Sequence, residues 1–110
     1  MKIFGLSTHN EAQAATAAAL RPPPEYIGVG PIFPTPTKTR PDPVLGLKRA
    51  GRILAATPIT AVVIGGIDEH NLPDVLRAGA RNFAVVRAVC ADPDPAAAIN
   101  RLQTVWRRFV

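Results

Sequence analysis

Four short stretches of this sequence carry groups that could do chemistry: Ser7-Thr8-His9, Thr35-Pro36-Thr37-Lys38, Gly65-Gly66-Ile67 and Val86-Arg87. The second sets two hydroxyls and an ammonium within four residues. The third is a glycine pair, whose bare backbone N–H groups can approach an anion closely. The fourth follows an apolar run and enters helical structure soon afterwards, where unpaired N–H groups face outward. Hydroxyls, a lysine and bare amides are together what a phosphate ester needs. Each group also has a plainer role open to it. Lys38 can be a solvated loop lysine, and Gly65-Gly66 can serve tight strand-to-helix packing alone. His9 can be a general acid or base, or it can only order its loop. Cys90 has no cationic partner in sequence and reads as an inert packed thiol. Trp106 reads as core, and Arg107-Arg108 as a solvated tail.

A regular succession of elements must hold these stretches. Lys2–Leu6 is a short apolar run that predicts a strand. Cap-type residues Ser7–Asn10 follow, then Glu11–Arg21, Ala-rich and of high helix propensity, stopped by Pro22-Pro23-Pro24. Glu25–Gly30 predicts a second strand, and Pro31–Pro41 a long loop. Asp42 and Pro43 then predict a helix start, with the helix running to about Ala56. In it Leu45, Lys48, Arg49 and Arg52 alternate with Val44, Leu47, Ile53 and Leu54. Ile59–Ile64 is a continuous, largely β-branched run, as in strands buried on both faces of a parallel sheet. Asn71 predicts a cap for a helix over Leu72–Ala78, with Gly79 at its left-handed end. Asn82–Val86 predicts the fourth strand. Ala96–Phe109 predicts a last helix with Ile99, Leu102, Trp106 and Phe109 as its apolar stripe.

The order β-α-β-α-β-α-β-α implies an α/β fold of four βα units with parallel strands and right-handed crossovers. An open doubly wound sheet and part of a (β/α)8 barrel both fit this order. A full barrel takes about 250 residues, and this chain has 110. In either fold the four stretches are the βα loops, where ligand sites gather. Barrel phosphates often sit in the loops after strands 7 and 8. If these are the last four units of a barrel, Gly66 and Arg87 lie in those loops.

Composition narrows the partners. The chain is 47% hydrophobic and 19% charged, a globular balance that allows one domain over residues 1–110. The formal net charge is +5, but the basic residues are spread rather than clustered, and aromatics are only 5%. That argues against nucleic acid and for small phosphorylated anions. No apolar stretch approaches the roughly 20 residues of a membrane span. The N-terminal residues lack a signal peptide's apolar core and cleavage site. One cysteine fits a reducing, cytoplasmic setting.

Four strings, in this order and spacing, closely resemble the thiamine phosphate synthase family: Gly5-Leu6-Ser7-Thr8-His9, Tyr26 through Lys38 (YIGVGPIFPTPTK), Ile64-Gly65-Gly66-Ile67 and Ala84-Val85-Val86-Arg87-Ala88. GPIFPTPTK is specific, whereas IGGI alone occurs in many phosphate-binding barrels. The resemblance covers nearly the whole chain but only the C-terminal half of that family's (β/α)8 TIM barrel. It implies a transferase that joins hydroxymethylpyrimidine diphosphate to thiazole phosphate, forming thiamine phosphate and releasing diphosphate. Carried over by position, Lys38 would bind the diphosphate and Ser7 the pyrimidine substrate. Thr35, Pro36 and Thr37 would line the thiazole phosphate pocket, with the Gly66, Val86 and Arg87 amides on its phosphate.

Two departures stand out. Arg87 occupies a position where the family usually has serine, and the half-barrel that carries the Mg²⁺-binding aspartates is absent. Mg²⁺ is therefore implied, with no ligands in this chain. A bare half-barrel also exposes a sheet face and two edges, so we expect a homodimer or docking to an N-terminal half-barrel. The related thiazole tautomerases use a histidine in the His9 loop, which makes an isomerase the alternative activity. A non-catalytic phosphate-binding half-barrel is the third reading.

Overall fold

A computed structural model describes residues 3–34 and 43–109. Its elements are β1 (Gly5–Thr8), α1 (Glu11–Ala19), β2 (Tyr26–Val29), α2 (Leu47–Ala56), β3 (Thr60–Val63), α3 (Leu72–Arg77), β4 (Asn82–Phe83), α4 (Arg87–Cys90) and α5 (Pro95–Arg107). The four strands form one parallel sheet in the order β1-β2-β3-β4. Strict sequential order carries no reversal point, which removes the doubly wound alternative. What remains is four consecutive βα units of a barrel wall.

The two faces of the sheet differ sharply. Ile27, Val29, Ala61 and Val63 are buried, and Thr8 is buried beside them. Helical residues Ala14, Ala17, Ala50, Ile53, Leu72, Val75, Leu76 and Leu102 complete that core. On the alternate positions Ser7, Tyr26 and Thr60 are exposed, and Gly28 and Val62 are only half-buried. Period-two alternation puts these residues on the opposite face. β3 is therefore buried on one face, not on the two that its β-branched run predicts. Such a run needs cover from both sides, and within this chain the helices supply one.

Several boundaries move. β1 begins at Gly5, so Ser7 and Thr8 are strand residues rather than loop residues. β4 shrinks to Asn82–Phe83, and a short irregular link leads to α4 at Arg87. α1 ends at Ala19, short of Arg21. α2 begins only at Leu47: Gly46, at φ +84°, is its N-cap, and Pro43 precedes the helix. The expected Asp42 cap lies outside the described residues. Leu45 is buried without being helical, whereas Val44 is exposed.

α5 ends at Arg107. Its inward stripe is Ala98 and Leu102, continued by half-buried Trp106, while Ile99 is exposed. Leu102 and Trp106 keep their expected places, and only the first position of the stripe moves, from Ile99 to Ala98. Trp106 is tethered by an Nε1–H that donates to the Arg81 carbonyl at 3.0 Å. Cys90 is exposed, not packed, because the single turn of α4 lies at the surface. Among the described residues no helix is long and apolar enough to cross a membrane.

Candidate functional site

A cleft of about 700 Å³ opens at the C-terminal ends of the strands. Its floor is the uncovered sheet face. Ser7, Gly28 and Val62 are register neighbours across β1, β2 and β3. A β-carbon at Gly28 would stand 3.7 Å from Ser7 Cα and 3.9 Å from Ser7 Oγ, which is ordinary contact. Glycine there keeps the floor low beside the serine.

His9 stands at the rim, held from two sides. Asn10 caps α1 by accepting from the Gln13 N–H at 2.8 Å, and the Gln13 carboxamide accepts from the His9 N–H at 2.7 Å. This variant of the capping box uses the Asn-x-x-Gln spacing. The ring Nδ1 lies 3.0 Å from the Gly30 carbonyl oxygen. A carbonyl can only accept, so Nδ1 carries the proton, and Nε2 is the acceptor nitrogen of the neutral ring.

The turn after β3 is built from backbone that only glycine tolerates well. Gly65 has φ +110° and Gly66 φ +67°. A β-carbon at Gly65 would meet Pro31 Cα at 2.6 Å, and one at Gly66 would meet the Pro34 carbonyl oxygen at 2.7 Å. The Ile32 and Phe33 amides donate to the Ile64 and Gly65 carbonyls, each at 3.0 Å, which seats the strand-2 loop against this turn. On the far wall, α4 opens with Val86 as N-cap residue and Arg87 as first helical residue. The N–H groups at such positions have no intrahelical acceptor.

Ser7, His9, Gly66, Val86 and Arg87 thus line one cleft. Thr35, Pro36, Thr37 and Lys38 lie outside the described residues. Pro34, the last described residue before them, is on the cleft wall.

Arg101, which the sequence reading did not single out, lines the cleft, and Asn71, read there only as a cap, braces the turn behind it. Arg101 of α5 reaches Glu69 Oε1 at 3.2 Å and Asp92 Oδ2 at 2.7 Å, joining the loop after β3 to the segment after α4. Asn71 is the N-cap residue of α3, but its side chain makes no capping bond there. Its Nδ2 donates to the Gly66 carbonyl at 2.9 Å, and its Oδ1 accepts from the Asp68 N–H at 2.9 Å. No sequence pattern separates this use from helix capping, since both favour Asn before a helix.

The fold and cleft define a parallel α/β half-barrel with its open site at the strand ends, where barrel proteins place their ligand sites. The chain belongs to the thiamine monophosphate synthase family, whose model matches residues 1–89. It is 51% identical over 104 residues to a thiamine-phosphate synthase of Mycobacterium sp. (strain KMS), covering 92% of this chain and 44% of that relative. A thiamine-phosphate synthase of Vibrio campbellii is 41% identical over 106 residues, covering 96% and 51%. The solved thiamine phosphate pyrophosphorylase of Pyrococcus furiosus superposes with a TM-score of 0.84 at 29% identity, covering 96% of this chain and 49% of that one. The chain spans about half the length of the relatives it matches.

Proposed function

We propose that residues 1–110 form one half-barrel domain that supplies the C-terminal part of a thiamine phosphate synthase site. The reaction couples hydroxymethylpyrimidine diphosphate to thiazole phosphate in thiamine biosynthesis. The C–O bond to diphosphate breaks first and its electron pair leaves with diphosphate. The thiazole nitrogen then donates its lone pair to the pyrimidine methylene carbon. Such a route needs the departing diphosphate stabilised and the cation kept from water. The observation carrying this reading is the convergence of Ser7, Gly66, Val86 and Arg87 on one cleft.

In this reading Lys38 neutralises the departing diphosphate and Ser7 bonds to the pyrimidine substrate. Thr35, Pro36 and Thr37 complete the thiazole phosphate pocket, and the Gly66, Val86 and Arg87 amides hold its phosphate. The setting is cytoplasmic.

The family resemblance brings a magnesium ion, and the described residues do not fit one. Among them no group of three His, Cys, Asp or Glu could hold a metal. Asp68 Oδ1 already accepts from the His70 and Asn71 N–H groups, and Glu69 is paired with Arg101. We derive no step through the ion and assign its ligands to a second half-barrel docked on the bare sheet face. Exposed Tyr26, Ile64 and Val86 give that docking an apolar footing.

A second reading rests on His9. His9 lines the cleft with its ring oriented by the Gly30 carbonyl, which suits proton transfer in a thiazole tautomerase.

The test is a coupled assay with both substrates and Mg²⁺, with and without a separately supplied N-terminal half-barrel, alongside light scattering. Turnover only with the added half supports the proposal. Turnover by the lone chain as a homodimer would overturn the placement of the metal ligands. Phosphate binding without turnover in either arm would leave a non-catalytic binding half-barrel. Loss of an isomerase activity in His9→Ala, with no synthase activity in wild type, would favour the tautomerase.

A further inference from the structure

We propose that Asn71 is the positioning residue of the phosphate-holding turn after β3; the inference rests on the phosphate reading of Gly65-Gly66. Both ends of its carboxamide are in use. Nδ2 donates to the Gly66 carbonyl and Oδ1 accepts from the Asp68 N–H, each at 2.9 Å. Asp68 answers through Oδ1, which accepts from the Asn71 and His70 N–H groups at 2.9 Å each. Residues 66–71 are thereby closed by four side-chain hydrogen bonds.

The consequence falls on one peptide group. In a trans peptide the carbonyl and the following N–H point in opposite directions. Holding the Gly66 oxygen on Asn71 therefore directs the Ile67 N–H away from Asn71. Gly66 and Ile67 line the cleft, and Asn71 is not among the residues that do. The same bond keeps a carbonyl oxygen, the wrong end of a dipole for an anion, turned toward a donor. The two glycines sit at positive φ, a conformation they hold without side-chain preference of their own, so an outside tether has something to decide.

Only asparagine has the chemistry at this reach. Aspartate keeps an acceptor for Asp68 N–H but sets a carboxylate against the Gly66 oxygen. Alanine removes both bonds and adds no charge.

The experiment is a titration of the full chain with inorganic phosphate, followed by amide chemical shifts of Gly65, Gly66 and Ile67, with melting temperatures recorded in parallel. Wild type is expected to show saturable shifts at these three amides. Asn71→Asp and Asn71→Ala are expected to bind at least ~10-fold more weakly, the scale of one misplaced hydrogen bond to a charged group. If wild type binds and both variants bind equally well, the positioning role is overturned while the phosphate reading stands. If wild type shows no saturable shift, the phosphate reading fails and takes this inference with it. A measurement without mutation covers variants that do not fold. Phosphate saturation of wild type should slow exchange of the Asn71 side-chain amide protons, and unchanged exchange overturns the proposal.

Discussion

Ser7 and Gly28 are register partners on adjacent parallel strands, and a β-carbon on Gly28 would lie 3.9 Å from the Ser7 hydroxyl oxygen. The space above Gly28 is cleft rather than core. Glycine in a strand interior normally weakens it, so its presence costs stability in return for an open floor. Gly28→Val should therefore leave the melting temperature unchanged or raised, since a β-branched residue suits a strand. The same variant should lose phosphate-ester binding, because two methyl groups rise beside Ser7. Calorimetry and thermal melting on one preparation check both halves. A marked drop in stability would show that the position is packed.

Gly65 and Gly46 both have positive φ, yet their surroundings separate them. A β-carbon at Gly65 would meet Pro31 Cα at 2.6 Å, whereas one at Gly46 would have nothing within 4 Å. Gly46→Ala should carry only the backbone penalty of the nearly glycine-only region at φ +84°, ψ 161°, about 2 kcal/mol. Gly65→Ala adds overpacking against backbone that cannot swing aside, and should cost at least about 1 kcal/mol more than Gly46→Ala. Urea denaturation of the two variants side by side reads the difference. Equal losses would mean that the Gly65 turn relaxes freely.

Glu11 and Arg49 join α1 to α2 through a 2.7 Å ion pair. The hydrogen bond from Arg49 holds the Glu11 carboxyl below its ordinary value, helped by a backbone hydrogen bond, and Glu11 in turn raises Arg49. A carboxylate with a depressed folded-state pKa contributes stability above its unfolded value and loses it as pH falls through the folded one. Glu11→Gln should thus lower the melting temperature slightly at neutral pH. That gap should close as pH falls below the ordinary carboxylate range, and high salt should close it too, because both side chains are exposed. A gap that persists in acid would assign the effect to helix propensity.

The order of elements was legible because each announces itself locally. Apolar runs, the cap-type residues Ser7–Asn10 before an Ala-rich segment and the Pro22-Pro23-Pro24 stop all act within a few residues. The boundaries were less so. Gly46 ends the approach to α2 by adopting a positive φ, which nothing in the neighbouring residues demands. Ile99 and Ala98 are both apolar, and only the way α5 lies against α3 and α4 selects the smaller one. Cys90 reads as a packed thiol because no cation stands near it in sequence, but a single surface turn exposes it.

By itself the sequence determined the alternation of strands and helices, the family, and which loops hold hydroxyls, amides and charge. These depend on short-range preference and on residue identity, both written in the chain. Only the tertiary structure decided that Ser7, His9, Gly66 and Arg87 share one cleft, that β3 keeps one face bare, and that the Asn71 side chain serves the Gly66 carbonyl instead of making a capping bond to α3. Those outcomes depend on register and on which distant groups meet, and a hydrogen-bonding side chain does not encode which of several partners within reach it will take.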